Sequence, residues 1–410
     1  LSLTENAQEA LTHLQAKYDA LLNAKRSVYR EQLDALIEEH VKTGLGYPKQ
    51  TSAEYIALLE ATTVEEFNAA LPAYKSCDDI EVPQPGTFLR IKAIDGWNDD
   101  APYLGSKNSS GNSRAEYVAE ADASTIFYFD GSQLVSYGSG NYLVDNNNFL
   151  GYNGVKPSGA KFTFHAAAND KFGACNISFK EGGRWLYVNQ NNYTDAGNGT
   201  PTADGYCFNL EAVTSIPVNV TAVGYASFYS PVAFSVPEGI EAYVVSSYSD
   251  KSASMQLLED NVIPANTGVI LKLQEGANAG SYQFNIAEED IEQVNNMLRG
   301  TATNTYIEGS AYVLSMQDGV VGFYKAMLNK DANGNAGNTH FLNNAGKAYL
   351  PMDGHNVRCL VFDFGTETGI IETENGKVKI ENSAVYDLAG RRVQNAQKGI
   401  FIVNGKKVVR

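Results

Sequence analysis

The sequence predicts a multidomain, mainly β protein with an N-terminal α-helical region. Three observations predict it. Apolar residues recur at helical three- and four-residue steps only as far as Cys77. Beyond it, short alternating strands are separated by Gly, Asn and Asp turns, as in all-β domains. A chain of 410 residues is also more than one ordinary core accommodates, so it divides into several domains.

The helical region is assigned to residues 1–80. Leu11, Leu14, Tyr18, Leu21 and Leu22 start an apolar stripe that Val28, Leu33, Leu36, Ile37 and Val41 continue. Ser2 or Thr4 caps its start, and Gly44, Gly46 and Pro48 end it. Ser52 opens a second helix. Thr63 opens a third, with Glu65 and Glu66 complementing its positive end. The result is a helical hairpin or small bundle, read as a spacer before a partner-binding helix. Asp79 to Gly86, with Pro83 and Pro85, reads as a proline-marked linker.

Residues 86–214 contain a threefold repeat with a step of about forty residues. Tyr103-Leu104, Tyr142-Leu143 and Trp185-Leu186 are equivalent pairs, their leucines 39 and 43 residues apart. A strand precedes each pair, at 88–91, 133–137 and 176–179. Polar, Asn-rich sequence follows each, and an aromatic strand closes each unit at 126–129, 161–164 and 207–210. One such unit cannot bury its apolar face alone, whereas three around a pseudo-threefold axis share a core. The economical fold is a β-trefoil, with Leu104, Leu143 and Leu186 in the core and Phe127, Phe162 and Phe208 beneath them.

This order, "FLRI…YLGS…IFYF" three times over, resembles the ricin-type β-trefoil carbohydrate-binding family. It departs from the family pattern in two ways. No closing strand carries Gln-x-Trp, and an Asp follows the Leu closely only in the second unit. The resemblance implies a sugar site in that unit at Asp145, Asn147, Phe149 and Tyr152. Unit three offers Asn189, Asn191 and Tyr193 without the early carboxylate. Unit one offers Asn108 and the turn Asp95-Gly96-Trp97-Asn98-Asp99. The chemistry suits a sugar: carboxylates and amides bond adjacent hydroxyls, and an aromatic ring covers the apolar face of a pyranose. The bland alternative is that Asn, Asp and Gly are simply what surface turns contain. Cys175 opens unit three and Cys207 closes it, open equally to a disulfide or to two buried thiols.

Residues 215–366 remain strand-rich, with strands expected at 225–229, 242–245, 269–273, 311–314, 320–324 and 360–364, a spacing that suits a β-sandwich. A short helix is expected at Glu288-Glu289-Asp290 with Glu292. "GYASFYSPVAFSVPEGIEAYVV", "IPANTGVILK", "AYVLSMQDGVVGFYKA" and "NNAGKAYLPM" resemble a β module common at the C-terminal ends of secreted Bacteroidetes proteins. Residues 367–410 form a small β tail with turns at Ala389-Gly390 and Asn404-Gly405. "AVYDLAGRRVQNAQKGIFIVNGKKVVR" is similar to type IX secretion (Por) sorting tails. Both resemblances imply an extracellular or cell-surface location.

Composition excludes other classes. With 43% hydrophobic and 19% charged residues the chain folds. A net charge of -16 argues against nucleic acid, which needs a basic stripe. No apolar run approaches a membrane span. The start at Leu1, without Met or a signal peptide, reads as a processed product or a trimmed piece. Cys77, Cys175, Cys207 and Cys359 form no CxxC pair. No catalytic motif stands out, and no cofactor or metal is expected. Cys359 with His340 or His355 reads as a structural Cys before a thiol–imidazole pair. The turn 331–335 lacks the closing Glu of a calcium loop.

The expected function is non-catalytic glycan binding, in the service of an attached glycan-degrading enzyme. A surface spacer or protein-binding module with a degenerate trefoil is the alternative. A glycoside hydrolase with unrecognised carboxylates is the second, since 47 acids leave many pairs open.

Overall fold

The structure is a computed structural model. It describes residues 3–365 apart from 95–99, 109–112, 147–148, 155–160, 169–170, 181–182, 190, 192, 199, 289–290, 293 and 353–356. In the tail it describes 385–387, 400–403 and 406–409. The turn 95–99, Asn147, Glu289, Asp290, His355 and the two tail turns lie outside the described residues.

Three helices open the chain, Leu3–His40, Ala53–Leu59 and Val64–Lys75. Ser52 caps the second by accepting from the Tyr55 amide. Thr63 caps the third by accepting from the Glu66 amide, while the Glu66 carboxylate reaches back to Thr62 N at 2.8 Å. Leu33 joins Leu58, Phe67 and Tyr74 in a small core. The Tyr74 hydroxyl accepts from Lys42 N and donates to Lys42 O, fastening the end of the first helix to the third. Upstream, Leu11, Leu14, Tyr18, Leu21 and Val28 are exposed. Geometry explains this departure from a bundle. The first helix has 38 residues and runs about 57 Å, whereas helices of 7 and 12 residues cover only one end of it.

The segment read as a linker is tied into the next region. Glu81 N donates to Tyr47 O and Gly46 N to Glu81 O. Ile80 is buried in the first β core. Phe172 packs against both Tyr47 and Tyr74, ring centroids 5.3 and 5.2 Å away.

Residues 86–214 contain four strands per repeat. They are β1 (Phe88–Ala93), β2 (Tyr103–Asn108), β3 (Ala115–Val118), β4 (Phe127–Phe129), β5 (Leu134–Ser136), β6 (Tyr142–Asp145), β7 (Leu150–Asn153), β8 (Thr163–Ala166), β9 (Cys175–Lys180), β10 (Arg184–Val188), β11 (Thr194–Gly197) and β12 (Phe208–Ala212). In every repeat the first strand pairs with the second and the second with the third. The first and fourth strands follow one another by antiparallel pairing: β4 with β1 and β5, β8 with β9, β12 with β9 and β1. A bond from Phe162 N to Ser132 O, 2.8 Å, brings the start of β8 to the start of β5. Leu104, Leu143 and Leu186 are each fully buried in one cluster with Phe127, Phe162 and Phe208. Burial of each such side chain contributes about 1.5–3 kcal/mol.

The third strands meet where the repeats converge. Ala115, Leu150 and Thr194 are all fully buried there. The Thr194 hydroxyl is shared between the carbonyls of Leu150, 2.6 Å, and Ala115, 3.1 Å. Gly151 lies so close to the Ser113 carbonyl that a Cβ has no room.

Residues 215–365 build two sheets. A four-stranded sheet runs in the order Ser215–Val220, Gly280–Ile286, Phe234–Ser235, Val262–Ile263. A nine-stranded sheet begins at Tyr225–Ser230, Thr267–Leu273 and Ile240–Tyr248 and ends at Arg299–Thr301. Its two ends approach through Gly346, which accepts from Tyr229 N and donates to Thr301 O. The large sheet is apolar on both faces. Ala242, Val244, Val269 and Leu271 face one core with Ile216, Val218 and Phe284. Tyr243, Val245 and Ile270 face another with Tyr312, Phe323 and Leu360. The two-residue alternation of a strand explains the split, and also why "AYVV" reads as one continuous apolar run. Phe88, Ile126, Tyr128 and Tyr137 of the repeat region join the first of these cores, so it crosses the boundary at 214–215.

The helix expected at 288–292 is absent at its described residues, Glu288, Ile291 and Glu292. The chain there leads to Asn296, whose Oδ1 accepts from Val245 N and Leu298 N while Nδ2 donates to Gly268 O. Pinned to the sheet in this way, the described residues of the segment stay outside a helix. In the tail, Val385–Asp387, Ile400–Val403 and Lys406–Val409 form a three-stranded antiparallel sheet. Among the described residues, no helix is long and apolar enough to cross a membrane.

Candidate functional site

The residues expected to hold a sugar fall into two environments. Asp145 ends β6 and Phe149 directly precedes β7; the two strands pair antiparallel, and Asn146 N donates to Phe149 O. Across the repeat boundary Arg184 opens β10, and its Nη1 lies 3.5 Å from Asp145 Oδ2. Both side chains are largely covered, 15% and 16% exposed for Arg184 and Asp145. Among the described residues the buried Asp145 Oδ1 atom has no hydrogen-bond partner.

A second carboxylate stands close by. Asp195, in β11, forms an isolated bridge with Phe149. Its Oδ1 is 2.8 Å from Arg114 Nη1, and its Oδ2 accepts from Asn189 Nδ2 at 2.7 Å. The Arg114 guanidinium also lies 5.3 Å from the centroid of the Phe149 ring, a cation–π arrangement. Asn189 Oδ1 accepts from the amides of Asn191 and Tyr193, 2.9 and 3.1 Å. Arg114, Phe149 and Asp195 thus join one residue from each repeat.

Tyr152 belongs to the core. Its ring stacks on Phe127 with centroids 6.4 Å apart, its hydroxyl donates to Gly105 O, and its amide donates to Asn108 Oδ1. A ring held in this way is not a platform for a sugar face. The structure therefore brings together Asp145, Phe149, Asn189, Asn191 and Tyr193, and separates Tyr152 from them. It adds Arg114, Arg184 and Asp195. No sequence spacing identifies these, because each partner lies in a different repeat.

Cys175 and Cys207 are both buried and carry no disulfide, so of the two alternatives the structure holds the pair of thiols. Burial, then the neighbouring Cys207, pushes the Cys175 thiol up to about 12. Cys359 faces Tyr324 across a strand pair, whereas His340 Nδ1 contacts the Thr339 hydroxyl. In the turn 331–335 the Asp331 carboxylate braces the loop, accepting from the Asn333 and Asn335 amides and from Asn335 Nδ2. Among the described residues no group of three His, Cys, Asp or Glu side chains is placed to hold a metal.

These features define a mainly β, multidomain chain whose first β region is built from three alike units. Comparison with family models, curated proteins and solved structures finds no match.

Proposed function

We propose that the chain is the non-catalytic, carbohydrate-binding accessory region of a secreted or cell-surface Bacteroidetes protein, attached to a glycan-degrading enzyme. In this reading residues 86–214 are a ricin-type β-trefoil and 215–366 a sandwich-like module. Residues 367–410 are a sorting tail. One observation carries it: the repeating strand pairings of β1 to β12, with Leu104, Leu143 and Leu186 at equivalent buried positions. A glycan-array screen of the intact chain, repeated with Asp145→Ala, tests it. Binding abolished by the substitution places the site in the second repeat. Binding that survives keeps the function and moves the site.

A second reading, a surface spacer or protein-binding module with a degenerate trefoil, is favoured by the ion pairs themselves. Asp145 is occupied by Arg184, Asp195 by Arg114 and Asn189, and Tyr152 by the core. Polar groups engaged with one another bind a ligand only after giving up those partners. Silence of the folded chain across a broad array would establish this second reading.

A further inference from the structure

We infer that the cleft between the repeat region and the second β region is a binding site for a neutral saccharide. This rests on the carbohydrate reading above and relocates its site. The cleft has a volume of ≈ 450 Å³, within the range of small-ligand pockets, about 300–1,000 Å³. Tyr128 and Asp130 line one wall, Thr303, Asn304, Thr305 and Tyr306 the other.

Its walls are held in place by hydrogen bonds within the chain. Asn304 spans the two regions, donating to Ser139 O and Asn141 Oδ1 at 3.0 and 3.1 Å and accepting from Ala345 N at 3.0 Å. Asp130 Oδ1 accepts from the amides of Ser132 and Gln133, 2.9 and 2.7 Å, which fixes the carboxylate at the entry to β5. Tyr306 sits in the strand Thr305–Glu308, paired with Leu342, and lies against Gly334, where a Cβ would collide with its ring. Such preorganisation reduces the ordering cost of binding.

The chemistry selects the ligand class. The half-buried Tyr306 ring offers a face for the apolar side of a pyranose, and Tyr128, whose ring packs on Phe88, offers a hydroxyl for its polar rim. Burial, then Asp130, pushes the Tyr128 hydroxyl up to about 12, so it remains a donor through physiological pH. A carboxylate accepts from adjacent sugar hydroxyls, and threonine hydroxyls donate or accept. Among the described residues no lining side chain is basic, and Asp130 repels phosphate, sulfate and carboxylate groups. A single carboxylate is too few for a cation site.

The test is an equilibrium titration of the intact chain with neutral disaccharides of hexose and N-acetylhexosamine, and with a sulfated disaccharide as control. Wild type, Asp130→Asn, Tyr306→Ala, Tyr306→Phe and Asp145→Ala are compared, each with a thermal melt. Asp130→Asn keeps the acceptor that braces the turn, so it remains informative if Tyr306→Ala does not fold. The expected result is binding of a neutral disaccharide that weakens at least tenfold in Asp130→Asn and Tyr306→Ala and persists in Tyr306→Phe and Asp145→Ala. Full binding in Asp130→Asn and Tyr306→Ala overturns the cleft and leaves the carbohydrate reading standing. Absence of any saccharide binding by folded wild type overturns both.

Discussion

Thr194 shows how one side chain joins three repeats. Its hydroxyl lies against two main-chain carbonyls from the other two repeats, in a fully buried setting. Thr194→Val keeps the shape and removes the donor. It is expected to cost about 1–3 kcal/mol by leaving those carbonyls under-satisfied, read as a lower midpoint in urea. Glu241 carries a pH-dependent contribution. Burial raises its pKa, but hydrogen bonds from Tyr243 and Lys272, 2.8 and 3.0 Å, and the Lys272 charge prevail and hold it below 4.5. The stabilisation is therefore complete above 4.5 and is lost as pH falls through the folded-state value. The difference in Tm between wild type and Glu241→Gln is expected to shrink from neutral pH to about pH 3. At this scale the core leucines were legible, because the same residue type recurs at a fixed step. The partners of Asp145 and Asp195 were not, since Arg184 and Arg114 meet them only through strand pairing between repeats.

Among elements, close backbone approach sets the tolerance. Gly151 opens the second residue of β7 directly onto the Ser113 carbonyl. Gly151→Ala must push the third-strand hairpins apart and is expected to destabilise by about 1–3 kcal/mol. A change within a few tenths would contradict this packing. Helix starts were legible at Ser52 and Thr63 because capping chemistry is local. Strand assignments at 225–229, 269–273 and 320–324 likewise match observed strands, each bounded by turn residues. The acids near Glu288 suggested a helix that does not form at the described residues. A long-range contact decides there, through Asn296 on Val245 and Gly268.

For the whole molecule, the shared core predicts coupled unfolding. Phe88 packs against Tyr128 and Tyr137 within the repeat region and against Phe234 beyond it, centroids 5.4, 6.0 and 6.0 Å apart. Phe88→Ala is expected to cost about 3–5 kcal/mol and to lower the melting of both β regions together. Loss confined to residues 86–214 would show that they unfold independently. The sequence pattern separated these regions by repeat and composition, yet it held no sign of the cleft between them. Tyr128 and Tyr306 lie far apart in the chain, and the Asn304 bridge helps to bring their walls together.

The most direct measurement is a broad glycan-array screen of the intact chain, shown to be folded by its thermal transition. The account predicts binding to neutral glycans. Silence across the array from a folded chain would contradict it and turn the search to protein partners.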